Sequence, residues 1–216
     1  MRGVIFANGE LTDLQRVRDL LRPDDLVIAA DGGARHALAA GVMPHVVIGD
    51  LDSLPQDLRE RLEAHDVRII SFPPRKDETD LELALLHAAR ERVSEILILT
   101  ALGGRLDQAI ANLLLLSLPE LRGLDVRIVE GTQEAFLIWD EEVETTIAGQ
   151  PGDTVSLIPL RGDAEGVTAE GLEWPLCEEA LSFGPARGIS NVLVAEQAHV
   201  SVQQGLLLCV VMHANG

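Results

Sequence analysis

From residue 1 to about residue 130 the chain alternates short, mostly apolar runs with segments whose apolar residues recur at helical spacing. The runs at 4–7, 26–30, 46–48, 67–71, 96–100 and 126–129 predict strands buried on both faces. Between them, Leu14, Val17, Leu20 and Leu21 mark one helical face, and residues 34–40 form a second helix. Leu58, Leu62 and His65, then Leu81, Leu85, Ala88 and Ala89, then Ile110, Leu113 and Leu114, mark three more. Buried strands joined by helical crossovers predict a doubly wound, mostly parallel six-stranded α/β sheet. After about residue 138 the helical period disappears and Gly and Pro become frequent. There 154–158, 198–203 and 206–212 read as strands, with Gln204 and Gly205 as a tight hairpin turn, and the expected architecture is a small all-β sandwich. The expected division is an α/β domain over 1–138 and a β-sandwich over 139–216. A β core of that size leans on a neighbour or a second subunit for burial, so dimerisation is expected.

Composition narrows the class. A hydrophobic fraction of 47% and a charged fraction of 24% are those of a globular protein. The longest apolar runs, 113–116 and 206–212, fall well short of the roughly 20 residues of a membrane-spanning helix. The apolar start of the chain is interrupted by Asn8, Gly9 and Glu10, unlike a signal peptide, so a cytoplasmic protein is expected. Cys177 and Cys209 are far apart and form neither a disulfide framework nor a zinc pattern. The formal net charge is −18 and there is no run of basic residues, which argues against nucleic acid as a partner. A small anionic substrate is compatible with that charge if a divalent cation neutralises it locally. Of 17 basic residues only Lys76 is a lysine, and it stands beside Asp77.

The candidate chemistry sits behind the strands. In an open parallel sheet all carboxyl ends reach one edge, so polar residues that follow the strands converge on one crevice. Asp31, Gly32 and Gly33 follow the second strand and open a helix, a place for backbone N–H groups to meet phosphate. Gly49, Asp50, Leu51, Asp52 and Ser53 follow the third; in an extended segment Asp50 and Asp52 point the same way, as oxygen ligands of a hard cation would, while Ser53 with Pro55 suffices to cap the next helix. Arg75, Lys76, Asp77, Glu78, Thr79 and Asp80 follow Pro73-Pro74, and their spacing puts Asp77 and Asp80 on one face of a helix start. Gly103, Gly104, Arg105, Leu106 and Asp107 follow the fifth strand, where Arg105 suits bidentate pairing with phosphate. No Walker A sequence occurs, which excludes a P-loop kinase. In the second half, Gly188, Ile189, Ser190 and Asn191 form a turn, and Trp174 lies in a loop.

Taken in order, these motifs resemble the thiamin pyrophosphokinase (thiamin diphosphokinase) family over nearly the whole chain. The resemblance implies an α/β catalytic domain, a C-terminal thiamin-binding β-sandwich, a homodimer with its active site near the subunit interface, Mg²⁺, and transfer of diphosphate from ATP to the thiamin hydroxyl with release of AMP. It assigns Asp50, Asp52, Asp80 and Asp77 to the metal, and Asp31, Gly32, Gly33, Gly103, Gly104 and Arg105 to the nucleotide. Lys76, Arg105, Asp77 and Asp107 fall in the reacting group, and Gly188, Ser190, Asn191 and Trp174 in the thiamin pocket. This chain carries Gln108 where the family commonly has His, and Pro185-Ala186 where it favours hydroxyl residues. Two other readings are a pyrophosphokinase for another hydroxymethyl heterocycle such as a pterin, and a non-catalytic nucleotide or thiamin sensor.

Overall fold

The computed structural model describes residues 1–214 apart from Ser53, Glu141 and Glu142. Ser53, expected to cap the helix after the third strand, therefore lies outside the described residues. The chain divides into two compact units, Met1–Gly131 and Thr132–Gly216. The division falls earlier than the expected 138/139, because the strand Gln133–Trp139 pairs along its length with a strand of the second unit.

The first unit has the strands β1 (Arg2–Phe6), β2 (Leu26–Ala30), β3 (Val46–Gly49), β4 (Arg68–Ser71), β5 (Glu95–Leu99) and β6 (Asp125–Glu130). Every neighbouring pair is parallel, in the order β6-β5-β1-β2-β3-β4. The helices are α1 (Leu14–Leu20), α2 (Gly33–Ala40), α3 (Gln56–Glu63), α4 (Asp80–Arg90) and α5 (Leu106–Leu115). Val4 and Phe6 of β1 pack with Val17 of α1 and Ala37 of α2. Residues one step along a strand point the opposite way, so Ile5 and Ile28 face the other layer, where α4 packs on β1, β2 and β3. The chain runs outward from β1 through β4, then returns to place β5 and β6 on the other side of β1. The crevice at that reversal lies beyond the carboxyl ends of β1 and β5.

The amino edge of the same sheet is closed by charge. Arg2 at the start of β1 and Asp25 just before β2 are both buried. The Arg2 guanidinium donates to both Asp25 oxygens, at 2.8 and 2.7 Å, and to the Leu20 carbonyl at 2.7 Å. The Arg22 backbone N–H donates to Asp25 Oδ2 at 2.7 Å, and Glu95 lies 3.8 Å from Arg2. Burial alone would raise the Asp25 pKa, but the Arg2 hydrogen bonds, the Arg22 N–H and the Arg2 charge outweigh it and hold the carboxyl below its usual range.

The second unit contains β7 (Gln133–Trp139), β8 (Thr145–Ala148), β9 (Thr154–Pro159), β10 (Ala164–Glu170), β11 (Leu176–Leu181), β12 (Asn191–Val192), β13 (Gln197–Ser201) and β14 (Leu206–Met212). Antiparallel pairing gives two layers, β12-β9-β14-β7 and β11-β10-β13-β8. The sandwich is as expected, but the hairpin at Gln204-Gly205 is not. β13 and β14 lie in different layers, and residues 202–205 carry the chain from one to the other. The burial pattern explains this: β14 is buried at nearly every position and needs a partner on each side, which β7 and β9 supply. Ala198 and Val200 of β13 meet Leu207, Cys209 and Val211 of β14 in one core instead.

Candidate functional site

All the sequence stations of the first unit open at the carboxyl edge of its sheet. Asp31 leaves β2 with a left-handed backbone (φ 44°), its N–H donating to the Ile48 carbonyl at 2.8 Å, and is buried. Gly32 and Gly33 then lead into α2, whose first residue lies hard against β1: a Cβ at Gly33 would stand 2.0 Å from the Phe6 carbonyl oxygen. Behind β3, Leu51 is buried with a left-handed backbone (φ 63°), so Asp50 and Asp52 sit on a turn rather than in the extended segment that the alternation assumed. The Asp52 N–H donates to Asp50 Oδ1 at 3.1 Å. Asp31, Asp50 and Asp52 each bring one carboxylate oxygen to within 4.8 Å of the others. Repulsion from the Asp50 carboxylate pushes the Asp52 pKa upward.

Asp80 approaches the same point from α4. A Cβ on Gly49 would lie 2.9 Å from the Asp31 Cβ and 3.2 Å from Asp80 Oδ1, so the absent side chain is what lets the two acids converge. Lys76 Nζ stands 2.9 Å from Asp80 Oδ1. Burial pushes the Asp80 pKa up, against the opposing hydrogen bond and charge of Lys76. Thr79 caps α4, its Oγ1 accepting from the Glu82 N–H at 3.2 Å. Capping therefore does not use Asp80.

Lys76, Asp80, Asp31 and Asp50 line a cavity of about 570 Å³ together with Gly103, Gly104 and Arg105. The structure groups these residues differently from the expected assignment. The close carboxylate trio contains Asp31, expected on the nucleotide side, while Asp80 is engaged by Lys76. Asp77 is exposed and does not line the cavity, because the chain reaches α4 with Lys76 rather than Asp77 turned inward. Asp107 pairs with Arg105 at 3.1 and 2.5 Å; both are exposed, and the pairing lowers the Asp107 pKa and raises that of Arg105. Gln108 also lines the cavity.

Three contributors escaped the sequence reading. Asn8, Gly9 and Glu10 behind β1 line the cavity. Their signal was present: this strand too stops at polar residues, and β1 sits at the reversal of strand order. His36 Nε2 lies 3.0 Å from the Gly9 carbonyl, and burial lowers its pKa, so a neutral ring braces that loop. Asn112 is a buried polar residue in the apolar second half of α5, donating to the Ala101 carbonyl at 2.6 Å.

In the second unit Trp174 and Asn191 are brought together. The Trp174 N–H donates to Asn191 Oδ1 at 3.1 Å, and Asn191 Nδ2 donates to the Trp174 carbonyl at 2.7 Å. The Asn191 amide thus fixes the Trp174 loop, and Trp174 as a whole is 57% exposed. Ser190 has φ 60°, and its N–H donates to Ser156 Oγ at 3.1 Å, which presents its own side chain outward; the Gly188 carbonyl accepts from the Leu157 N–H at 2.8 Å.

Comparison with known proteins finds both units. A family model described as thiamin pyrophosphokinase, catalytic domain, matches residues 17–128, and one described as thiamin pyrophosphokinase, vitamin B1 binding domain, matches residues 142–207. The thiamine pyrophosphokinase of Bacillus subtilis is 28% identical over 185 residues, covering 86% of each chain. Thiamine pyrophosphokinase 1 of Arabidopsis thaliana is 25% identical over 217 residues, covering 88% of this chain and 79% of that protein. The crystal structure of the Bacillus subtilis enzyme superposes with a TM-score of 0.88 at 26% identity over 99% of both chains. That of thiamin pyrophosphokinase from Geobacillus thermodenitrificans gives 0.85 at 26% identity over 100% of this chain and 99% of that one.

Proposed function

The chain belongs to the thiamin pyrophosphokinase family, and from that premise we propose that it transfers diphosphate from ATP to the hydroxyl of thiamin, giving thiamin diphosphate and AMP. The observation that carries this reading is the convergence of Asp31, Asp50 and Asp52 beside a cavity that also holds Lys76 and Arg105. Hard carboxylate oxygens so close together fit Mg²⁺, and Asp80 stands near enough to join them. Bound there, the ion would neutralise charge on the phosphate oxygens.

The thiamin oxygen forms a bond to the β-phosphorus while the bridge from the β- to the α-phosphate breaks and leaves with AMP. Positioning and charge neutralisation carry most of such a transfer. Lys76 and Arg105 contribute positive charge to the phosphates, Gly103 and Gly104 leave room for the nucleotide, Gly32 and Gly33 seat the start of α2 against β1 and its loop, and Asp107 orients Arg105. Asp77, exposed beside Lys76, is the proposed acceptor of the hydroxyl proton. In the sandwich unit, Trp174 offers a face to cationic thiamin, Ser190 offers a hydroxyl, and Asn191 and Gly188 hold both in place. The net charge of −18 favours a cationic acceptor.

The proposed assembly is a cytoplasmic homodimer. It would cover the exposed Leu106, Ile110 and Leu114, which recur every fourth residue along α5, and sedimentation at the mass of one chain would rule it out. The central test is AMP release from ATP and Mg²⁺ with thiamin as acceptor, then with a hydroxymethyl pterin. Release with thiamin alone is expected. Release only with the pterin would move the assignment to that acceptor, and nucleotide binding without release would make the protein a sensor.

A further inference from the structure

Glu130, the last residue of β6, stands beside two loops that line the cavity. One loop follows β1 and the other follows β5. Their backbones are already stitched together: the Gly9 N–H donates to the Thr100 carbonyl at 2.7 Å and the Glu10 N–H to the Leu102 carbonyl at 3.0 Å. The Glu10 side chain lies over Gly103. Glu130 is the side-chain component of this junction. Thr12 Oγ1 donates to its Oε1 at 2.5 Å across 118 residues of sequence. Its Oε2 is buried and makes no hydrogen bond. A half-buried acid with an idle oxygen is an expensive choice at a strand end, where Ser or Asn would cap as well.

We propose that Glu130 is a positioning residue that anchors the β1 loop to the end of β6 and, through the backbone bonds between the two loops, holds Gly103, Gly104 and Arg105 in place against the nucleotide phosphates. The proposal rests on the nucleotide reading of the cavity. Asn112 restrains the same loop through the Ala101 carbonyl, just ahead of its two glycines. Without Glu130 the glycine loop keeps its sequence but loses its anchor to β6.

The test compares E130A, E130Q and T12V in the full chain by steady-state kinetics, thermal melting and amide hydrogen exchange. For E130A, KM for ATP should rise about tenfold, as expected from losing a hydrogen bond to a charged group, while KM for thiamin stays within about twofold. Exchange at Gly103 and Gly104 should accelerate in the free protein. E130Q keeps an acceptor oxygen and should restore most of the ATP affinity. T12V removes only one hydroxyl and should move ATP affinity and loop exchange the same way by about threefold, which preserves the test if E130A folds poorly. Equal change in both KM values, or a lower melting temperature with unchanged exchange at 103–104, would overturn the proposal. Because exchange is read without ligand, it decides the tether even if the wild-type chain proves not to use ATP.

Discussion

The two edges of the parallel sheet use charge in opposite ways. At the amino edge, buried Arg2 and Asp25 satisfy each other and the neighbouring backbone, with Arg22 and Glu95 completing the group. At the carboxyl edge, Asp31, Asp50, Asp52 and Asp80 crowd together, and Lys76 pairs with Asp80. The first arrangement holds strands in register. The second packs like charges together at the expense of stability, an arrangement that suits the proposed cation. Left-handed backbone occurs at both edges: Leu51 and Thr100 adopt φ of 63° and 55° at the carboxyl edge, and Asp66 and Arg92, ahead of β4 and β5, adopt 55° and 56° at the amino edge. Thr100 Oγ1 offsets part of the strain at its position by donating to the Ala7 carbonyl at 2.7 Å.

Exchanging one carboxylate for an amide at each edge tests this division. At the carboxyl edge, Asp52→Asn should lower AMP release by about 10³-fold, the several kcal/mol that a metal ligand contributes. Its melting temperature should stay level or rise; a clear fall would mean that Asp52 is structural. At the amino edge, Asp25→Asn should destabilise by about 3–5 kcal/mol in urea unfolding, because it leaves Arg2 buried and uncompensated, with kcat nearly unchanged in the folded fraction. A loss of kcat without loss of stability would erase the distinction.

The smallest effect is in acid, measured in chelator to keep cations away. Asp80 has a raised folded pKa, so its ionised form costs stability above that value, and stability recovers as pH falls through it. Asp25 has a lowered folded pKa, so its contribution is complete above the unfolded value near ~3.9 and disappears as pH falls through the folded one. Stability should therefore rise slightly on moderate acidification and fall below about pH 4. Asp80→Asn should flatten the rise and leave the fall; an unchanged rise would assign it to other groups.

Much of the first unit was legible because buried parallel strands leave continuous apolar runs, and each of the six predicted runs overlaps an observed strand. The polar residues behind those runs were legible for the same reason, since a parallel sheet delivers them to one edge. What was not legible depends on strand order. Asn8, Gly9 and Glu10 matter because β1 lies between β2 and β5, and no local pattern states that. The grouping of Asp31 with Asp50 and Asp52 likewise depends on the parallel pairing of β2 with β3, whereas spacing alone favoured Asp77 and Asp80. In the sandwich, two apolar segments separated by Gln204 and Gly205 look like a hairpin, and only the burial of β14 on both sides reveals the change of layer.

The solitary lysine makes the cavity chemically addressable. Lys76 carries the one ε-amine of the chain, and its side chain is only 12% exposed where it meets Asp80. A lysine-specific protease therefore has a single bond to cut, between residues 76 and 77, and an amine-directed label has a single side-chain target. Either reagent reports on the rim of the cavity without any engineered tag, and a ligand that covers Lys76 announces itself as one band that fails to split.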